Sequence, residues 1–322
     1  MNASATMNAS PAPIPRAVPA PRRRRRPSPR SPVTRAVLGS SDDFLAADGT
    51  SSPTPPFRPP PSLCSSAATE ARNVLRVLRE GAVEGDPAVP RRVRVELPLP
   101  PADVRTDEMR YLGLHGQAAD WSGGMSQRLR VTKTYVEENM LDGYDWEYLG
   151  LLDRDADGMA VWTCGENMTV VTHPSDTTMR FFLDLADGVY GERVKKKDHV
   201  LVVVNAFWSG NGEKVGQPWE LGLKKRAVAA LAPETGDWEK VYVARRVRSA
   251  AGAEGTLRRA WPGRWQLFDA EGVALIGEWT PREGEPSNRE IAETLNEAAG
   301  AADAAGFNRS SVDTSRDTDV IT

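Results

Sequence analysis

The chain has 322 residues, 25 prolines, two cysteines and a formal net charge of −3. Two cysteines, Cys64 and Cys164, exclude a disulfide scaffold and an all-cysteine metal site, and the longest aliphatic run, Val200–Val204, is far too short to cross a bilayer. Residues 1–58 hold nine arginines and three aspartates and carry +6, which leaves −9 on the remainder and argues against nucleic-acid binding.

The N-terminal segment has no acid before Asp42, yet it holds eight arginines by that point, five of them consecutive from Arg22 to Arg26. Fourteen prolines precede Ser62, so this segment lacks the makings of a packed core. Arg-rich, Ser-rich and acid-poor composition without an apolar stretch is that of an organellar transit peptide; a solvated basic tail is the competing reading. Residues 1–66 are therefore expected to be transit peptide and linker, with cleavage between Ala36 and Ser66. A single domain is expected over 67–300, followed by a disordered acidic tail over 301–322.

Along that domain, Val74, Leu75 and Leu78 predict a helix over Ala67–Arg79, ended by Gly81. Arg92–Leu97 alternates charged residues with Val93, Val95 and Leu97, the pattern of a half-buried strand. Met109, Leu112, Met125, Leu129, Val136 and Met140 suggest helix, interrupted by Gly123 and Gly124. Strands are predicted at Trp146–Leu152, Met159–Cys164 and Met168–Thr172. A helix follows, starting at Pro174-Ser175-Asp176, with Met179, Phe182, Ala186 and Val189 as its buried stripe. His199–Phe207, apolar on both faces, reads as the central strand of a covered sheet.

Leu223, Ala227 and Leu231 mark another helix, and Glu239–Val247 a strand. Trp265–Phe268 and Val273–Trp279 form a hairpin around Asp269–Gly272. Ser287 with Glu290 is a capping box for a last helix bearing Ile291 and Leu295. Strands mixed with helices throughout predict an α/β fold: a single three-layer domain with a mixed sheet flanked by helices.

No catalytic constellation emerges, and no cofactor or metal is implied. Asp153–Gly158 matches the first half of a calcium loop, but position twelve is Cys164, so a hairpin turn explains it better. Gly210, Gly212 and Gly216 follow the strongest strand, with Val215 standing where dinucleotide spacing needs glycine. His115, His173 and His199 have no metal-ligand spacing, and His173 reads as a strand-end residue. Six of nine tryptophans follow residue 200, enough to line a cleft or partner surface as readily as a core. The residues expected at a ligand or partner surface are Asn205, Trp208, Lys214, Trp261, Arg264 and Trp265.

Val200–Trp208, Asp237–Tyr242, Arg259–Phe268, Val95–Pro100 and Gly277–Trp279 together resemble the plastid and cyanobacterial family called domain of unknown function nineteen ninety-five. The resemblance covers Thr69 to Arg282. It implies chloroplast residence, in the stroma or on the stromal face of the thylakoid. Relatives include an assembly factor of photosystem II and a module fused to plastid adenylate kinase. Where that family often has Asn-Pro, this chain has Asn205-Ala206. The expectation is a non-catalytic binding protein that serves a photosynthetic complex and associates at most peripherally with the membrane. The alternative is an enzyme or sensor binding a phosphorylated metabolite or nucleotide, with Asn205, Gly210, Gly212 and Lys214 as its cradle and Arg245 or Arg264 adding charge.

Overall fold

The computed structural model describes residues 64–99, 125–153, 158–208, 212–217, 219–231, 238–280, 284–304 and 319–321. The first helix, α1, runs Cys64–Glu84 and buries Ala67, Ala71, Leu75 and Leu78 along one side. It continues through Gly81, contrary to the predicted stop. Asp86 N–H returns to the Gly81 carbonyl at 2.9 Å and Gly85 N–H to Ala82 at 3.2 Å, a Schellman closure whose left-handed residue is Gly85 at φ 80°. Gly81 serves packing instead, since a Cβ there would lie 2.7 Å from Val89 Cγ2.

The remaining elements are β1 Arg92–Glu96; α2 Met125–Tyr135, which passes into a π-helical turn Val136–Met140; β2 Trp146–Leu151; β3 Ala160–Cys164; β4 Met168–Thr172; α3 Met179–Ala186; β5 Val200–Val204; α4 Leu221–Leu231; β6 Trp238–Ser249; β7 Glu254–Ala260; β8 Trp265–Phe268; β9 Leu275–Trp279; α5 Asn288–Ala304; and β10 Asp319–Ile321. The strands form one ten-stranded sheet in the order β2-β3-β4-β5-β1-β6-β7-β8-β9, with β10 beside β6. Strands β4, β5, β1 and β6 are mutually parallel, and antiparallel strands extend the sheet on both sides. This is the mixed, helix-flanked α/β architecture the sequence predicts.

Alternation along β5 shows how the faces divide. Val200, Val202 and Val204 join Val93 and Val95 in a core with α1 and α2. Leu201 and Val203 point the other way, into a core with Phe182 of α3 and Ala227 of α4. A third core lies where Ile291 and Leu295 of α5 pack on Val243, Val247, Leu257, Trp265 and Leu267. Full burial of aliphatic residues on both faces of β5 contributes about 2 kcal/mol per side chain before entropy is counted.

Two expectations need correction. Val189 is 66 % exposed rather than part of the α3 stripe, because Gly188 at φ 74° has already turned the chain out of the helix. Strand β7 was not predicted, since its sequence, Glu-Gly-Thr-Leu-Arg-Arg-Ala, reads as polar. Its two arginines are nonetheless buried: Arg258 meets Glu70 at 3.2 Å and Arg259 meets Glu239 at 2.5 Å. The expected stretch around Met109 and Leu112 lies outside the described residues.

Candidate functional site at the carboxyl end of the parallel strands

Among the described residues, the next helix after β1, α2, packs on one face of the sheet, and the next long helix after β5, α4, packs on the other. Strands β1 and β5 are neighbours, so adjacent carboxyl ends are succeeded by described helices that lie on opposite faces. That is the topological switch point at which open α/β sheets bind ligands.

Asn205, the first residue after β5, takes a left-handed backbone at φ 50°. Its N–H donates to the Val95 carbonyl at 2.9 Å, and its Oδ1 accepts from Leu97 N–H at 2.7 Å. The side chain thus ties β5 to the end of β1 where the ladder stops. Its Nδ2 is buried and has no hydrogen-bond partner among the described residues. One strand over, Thr172 is in register with Val204, which sets His173 beside Asn205.

His173 is also left-handed, at φ 53°, and fully buried. Its Nε2 lies 3.0 Å from Thr132 Oγ1 of α2, and its ring stands 5.4 Å from that of Phe207. Its Nδ1 has no partner among the described residues. Burial pushes its pKa down to about 4, helped by nearby Arg128 and opposed by Asp153. The imidazole is therefore neutral at ordinary pH. Two non-glycine residues at adjacent strand ends, both left-handed, together store strain of the kind that collects at binding sites, roughly 1–3 kcal/mol each.

A charged trough adjoins this crevice. Strand β1 is internal, yet Arg92, Arg94 and Glu96 occupy its face opposite Val93 and Val95. On that face α3 and α4 cover one part of the sheet and α5 another, and neither core includes a β1 residue. Between them, Glu96 meets Lys240 at 2.9 Å and Arg94 and Arg245 at 3.4 Å each, while Lys240 also reaches Glu285 at 2.6 Å. Burial alone would raise the Glu96 carboxyl, but Lys240, Arg245 and Arg94 together hold it below the usual carboxylate range. Arg94 stacks 5.0 Å from the Trp208 ring and Arg92 5.7 Å from Trp238. Trp208, Trp238 and Phe182 form one aromatic group, with ring centroids 5.1–6.1 Å apart. Arg94 Nε, like Asn205 Nδ2, is a buried donor without a partner among the described residues.

The sequence-expected surface residues divide three ways. Asn205 and Trp208 meet here, at the crevice and the trough. Lys214 is exposed on the turn that leads to α4. Trp261, whose bond to Pro262 is cis, packs partly against the α1 core. Arg264 pairs with Glu278 at 2.9 Å on the β8–β9 hairpin. Trp265 is a correction: it is buried in the α5 core and presents no surface.

The glycine cradle also reads differently. Gly210 lies outside the described residues, and a Cβ on Gly212 would come within 2.7 Å of the Ala227 backbone. Gly212 is therefore demanded by close approach to α4, with no ligand required. In the calcium-like loop, residues 154–157 lie outside the described residues. Asp153 Oδ2 accepts from Met159 N–H at 2.9 Å, as a hairpin turn does. No cluster of three metal-ligating side chains occurs among the described residues.

Sequence reasoning missed Arg94, Glu96, Lys240 and the role of His173. The signal was present in Arg-Val-Arg-Val-Glu: such alternation on an internal strand leaves a charged face toward the middle of the sheet. A shallow cleft elsewhere, where Arg79 stacks 5.4 Å from the Tyr144 ring, is lined by Arg76, Glu80, Val83 and Glu84. It holds no unpartnered buried polar atom among the described residues. Burial pushes the Cys164 thiol up to about 12, away from the thiolate that a nucleophile requires.

Residues 61–293 match the family described as Domain of unknown function (DUF1995). The match spans well over half of the chain. No curated protein and no solved structure matches it. The chain belongs to the DUF1995 family.

Proposed function

We propose that this DUF1995-family chain is a non-catalytic plastid binding protein that seats a small anionic, acceptor-rich ligand at the carboxyl ends of β1 and β5. The observation that carries this reading is the pair of buried donors without partners, Asn205 Nδ2 and Arg94 Nε. A buried donor left unpaired costs about 1–3 kcal/mol, and an acceptor on a ligand would recover it. Three cations, Arg94, Lys240 and Arg245, outnumber the two acids beside them, Glu96 and Glu285, which favours a phosphate or carboxylate group. Neutral His173 supplies a further hydrogen-bonding nitrogen without adding charge. The hydroxyl–imidazole contact of this site, Thr132 with His173, is fully buried, so among the described residues the exposed groups here are ones that bind and orient.

The test is ligand-dependent stabilisation. With nucleotides and sugar phosphates at millimolar concentration, the melting temperature should rise with at least one probe. Asn205→Asp retains an acceptor for Leu97 N–H but removes the free donor, and it should abolish that rise. Absence of any rise, or an equal rise in the variant, contradicts the reading.

A second reading, docking on a photosynthetic complex from the stromal side, is favoured by the Arg22–Arg26 run and the acid-free N-terminus. Peripheral membrane association belongs with it; no helix among the described residues is long and apolar enough to span a bilayer. Purification of a tagged copy from plastids, with identification of its companions, tests this reading. Enrichment of one photosystem's subunits supports it, and a lone stromal protein contradicts it.

A further inference from the structure

Helix α4 has two faces of different character. Leu223, Ala227, Ala230 and Leu231 pack inward, against the core shared with α3. Leu221, Lys224, Lys225 and Val228 recur at helical spacing on another face. Leu221 is 64 % exposed and Trp219, just before the helix, 77 %. Lys224 and Lys225 are exposed, as is Lys214 on the preceding turn. These three lysines have no ion-pair partner among the described residues.

The acids around this face are mostly spoken for. Helix α4 contains none. Glu220 is held by Arg180 and by Gln217 N–H, and Asp184 and Asp187 both bind Arg226, at 2.9 and 2.7 Å. Only Glu213, on the turn beside Lys214, is exposed without such a partner among the described residues. Among the described residues a predominantly basic surface, with Glu213 as its one unpaired acid, thus surrounds an exposed tryptophan and leucine, on a chain whose residues after 58 sum to −9.

We infer that the Trp219–Lys225 face is a docking surface for an anionic lipid membrane. Tryptophan and leucine fit the boundary between headgroups and acyl chains, where an indole keeps one polar end wet. Lysines beside them bury their stems and hold their charges toward anionic headgroups. Charge decides against a neutral surface: Lys214, Lys224 and Lys225, exposed beside Trp219 and Leu221, favour anionic over neutral lipid. The surface is independent of the crevice at Asn205, so either can fail without the other.

The experiment is co-sedimentation with vesicles. The full-length chain is used with Arg16, Arg22–Arg26, Arg30 and Arg35 changed to Gln, so that the segment before Asp42 carries no basic side chain. Binding is expected to phosphatidylcholine vesicles containing phosphatidylglycerol, to weaken with salt, and to be absent from phosphatidylcholine alone. K224E/K225E should lose affinity by about fivefold or more per lysine, and W219S/L221S should lose it too. All four residues are solvent-facing, and unchanged circular dichroism confirms that the fold is kept. Failure to bind anionic vesicles, equal binding to both vesicle types, or no effect of either variant overturns the inference. So does binding to native membranes that disappears once their proteins are stripped, which would assign the face to a protein partner.

Discussion

His173 shows how one buried side chain sets a pH response. Its folded-state pKa of about 4 lies below the ordinary value of 6.5. Between these values the unfolded chain takes up a proton that the folded chain refuses. Stability is therefore full above about pH 6.5 and falls as pH drops toward 4, by about 3 kcal/mol across the window. Burial lowers His199 as well, so part of the dependence is shared. His173→Asn, which tolerates a left-handed backbone, should make the urea midpoint fall less between about pH 7 and about pH 5. An unchanged fall would place the proton elsewhere. At this scale the sequence was only half legible: Asn205 stood out at the end of an apolar strand, while His173 gave no sign of burial. Its environment is built by Thr132 and Phe207, 41 and 34 positions away in the chain.

Among elements, the regular ones could be read and the exceptional ones could not. Strand β5 and the capping box of α5 follow local rules, and the Glu290 carboxylate indeed accepts from Ser287 N–H at 2.8 Å. Strand β7 escaped because ion pairs with Glu70 and Glu239 let it bury arginines, and pairing across the sheet is invisible to periodicity. The α1 stop was misplaced because a glycine can serve packing as well as termination. Gly212 makes the same point more sharply. It is left-handed at φ 81° and lies against the α4 backbone, so Gly212→Ala should lower stability by about 3 kcal/mol, through strain and overpacking together. A urea midpoint equal to the parent's would contradict the close approach.

For the whole molecule, the parallel order β4-β5-β1-β6 and the packing of α2 and α4 on opposite faces frame the crevice. Sequence alternation gave both faces of β5, but not strand order, so the neighbours of β1 and its trough stayed hidden. The fold also bears on processing. Cys64 is buried in the α1 core with Ala67 and Ala68, so any transit-peptide cleavage that keeps this core intact falls before Cys64. Mass spectrometry of the N-terminus of protein recovered from plastids should find a start upstream of Cys64; one inside α1 contradicts this. The parallel strands, the strained ends and the unpaired donors converge on one place, and that convergence can be measured there. The side-chain amide of Asn205 and the ring nitrogens of His173 can be followed by nitrogen NMR as inorganic phosphate and then ADP are added. Both sets of resonances should shift together and saturably with at least one probe. If neither moves with either probe, or binding shifts only resonances remote from β1 and β5, the crevice is not the ligand site.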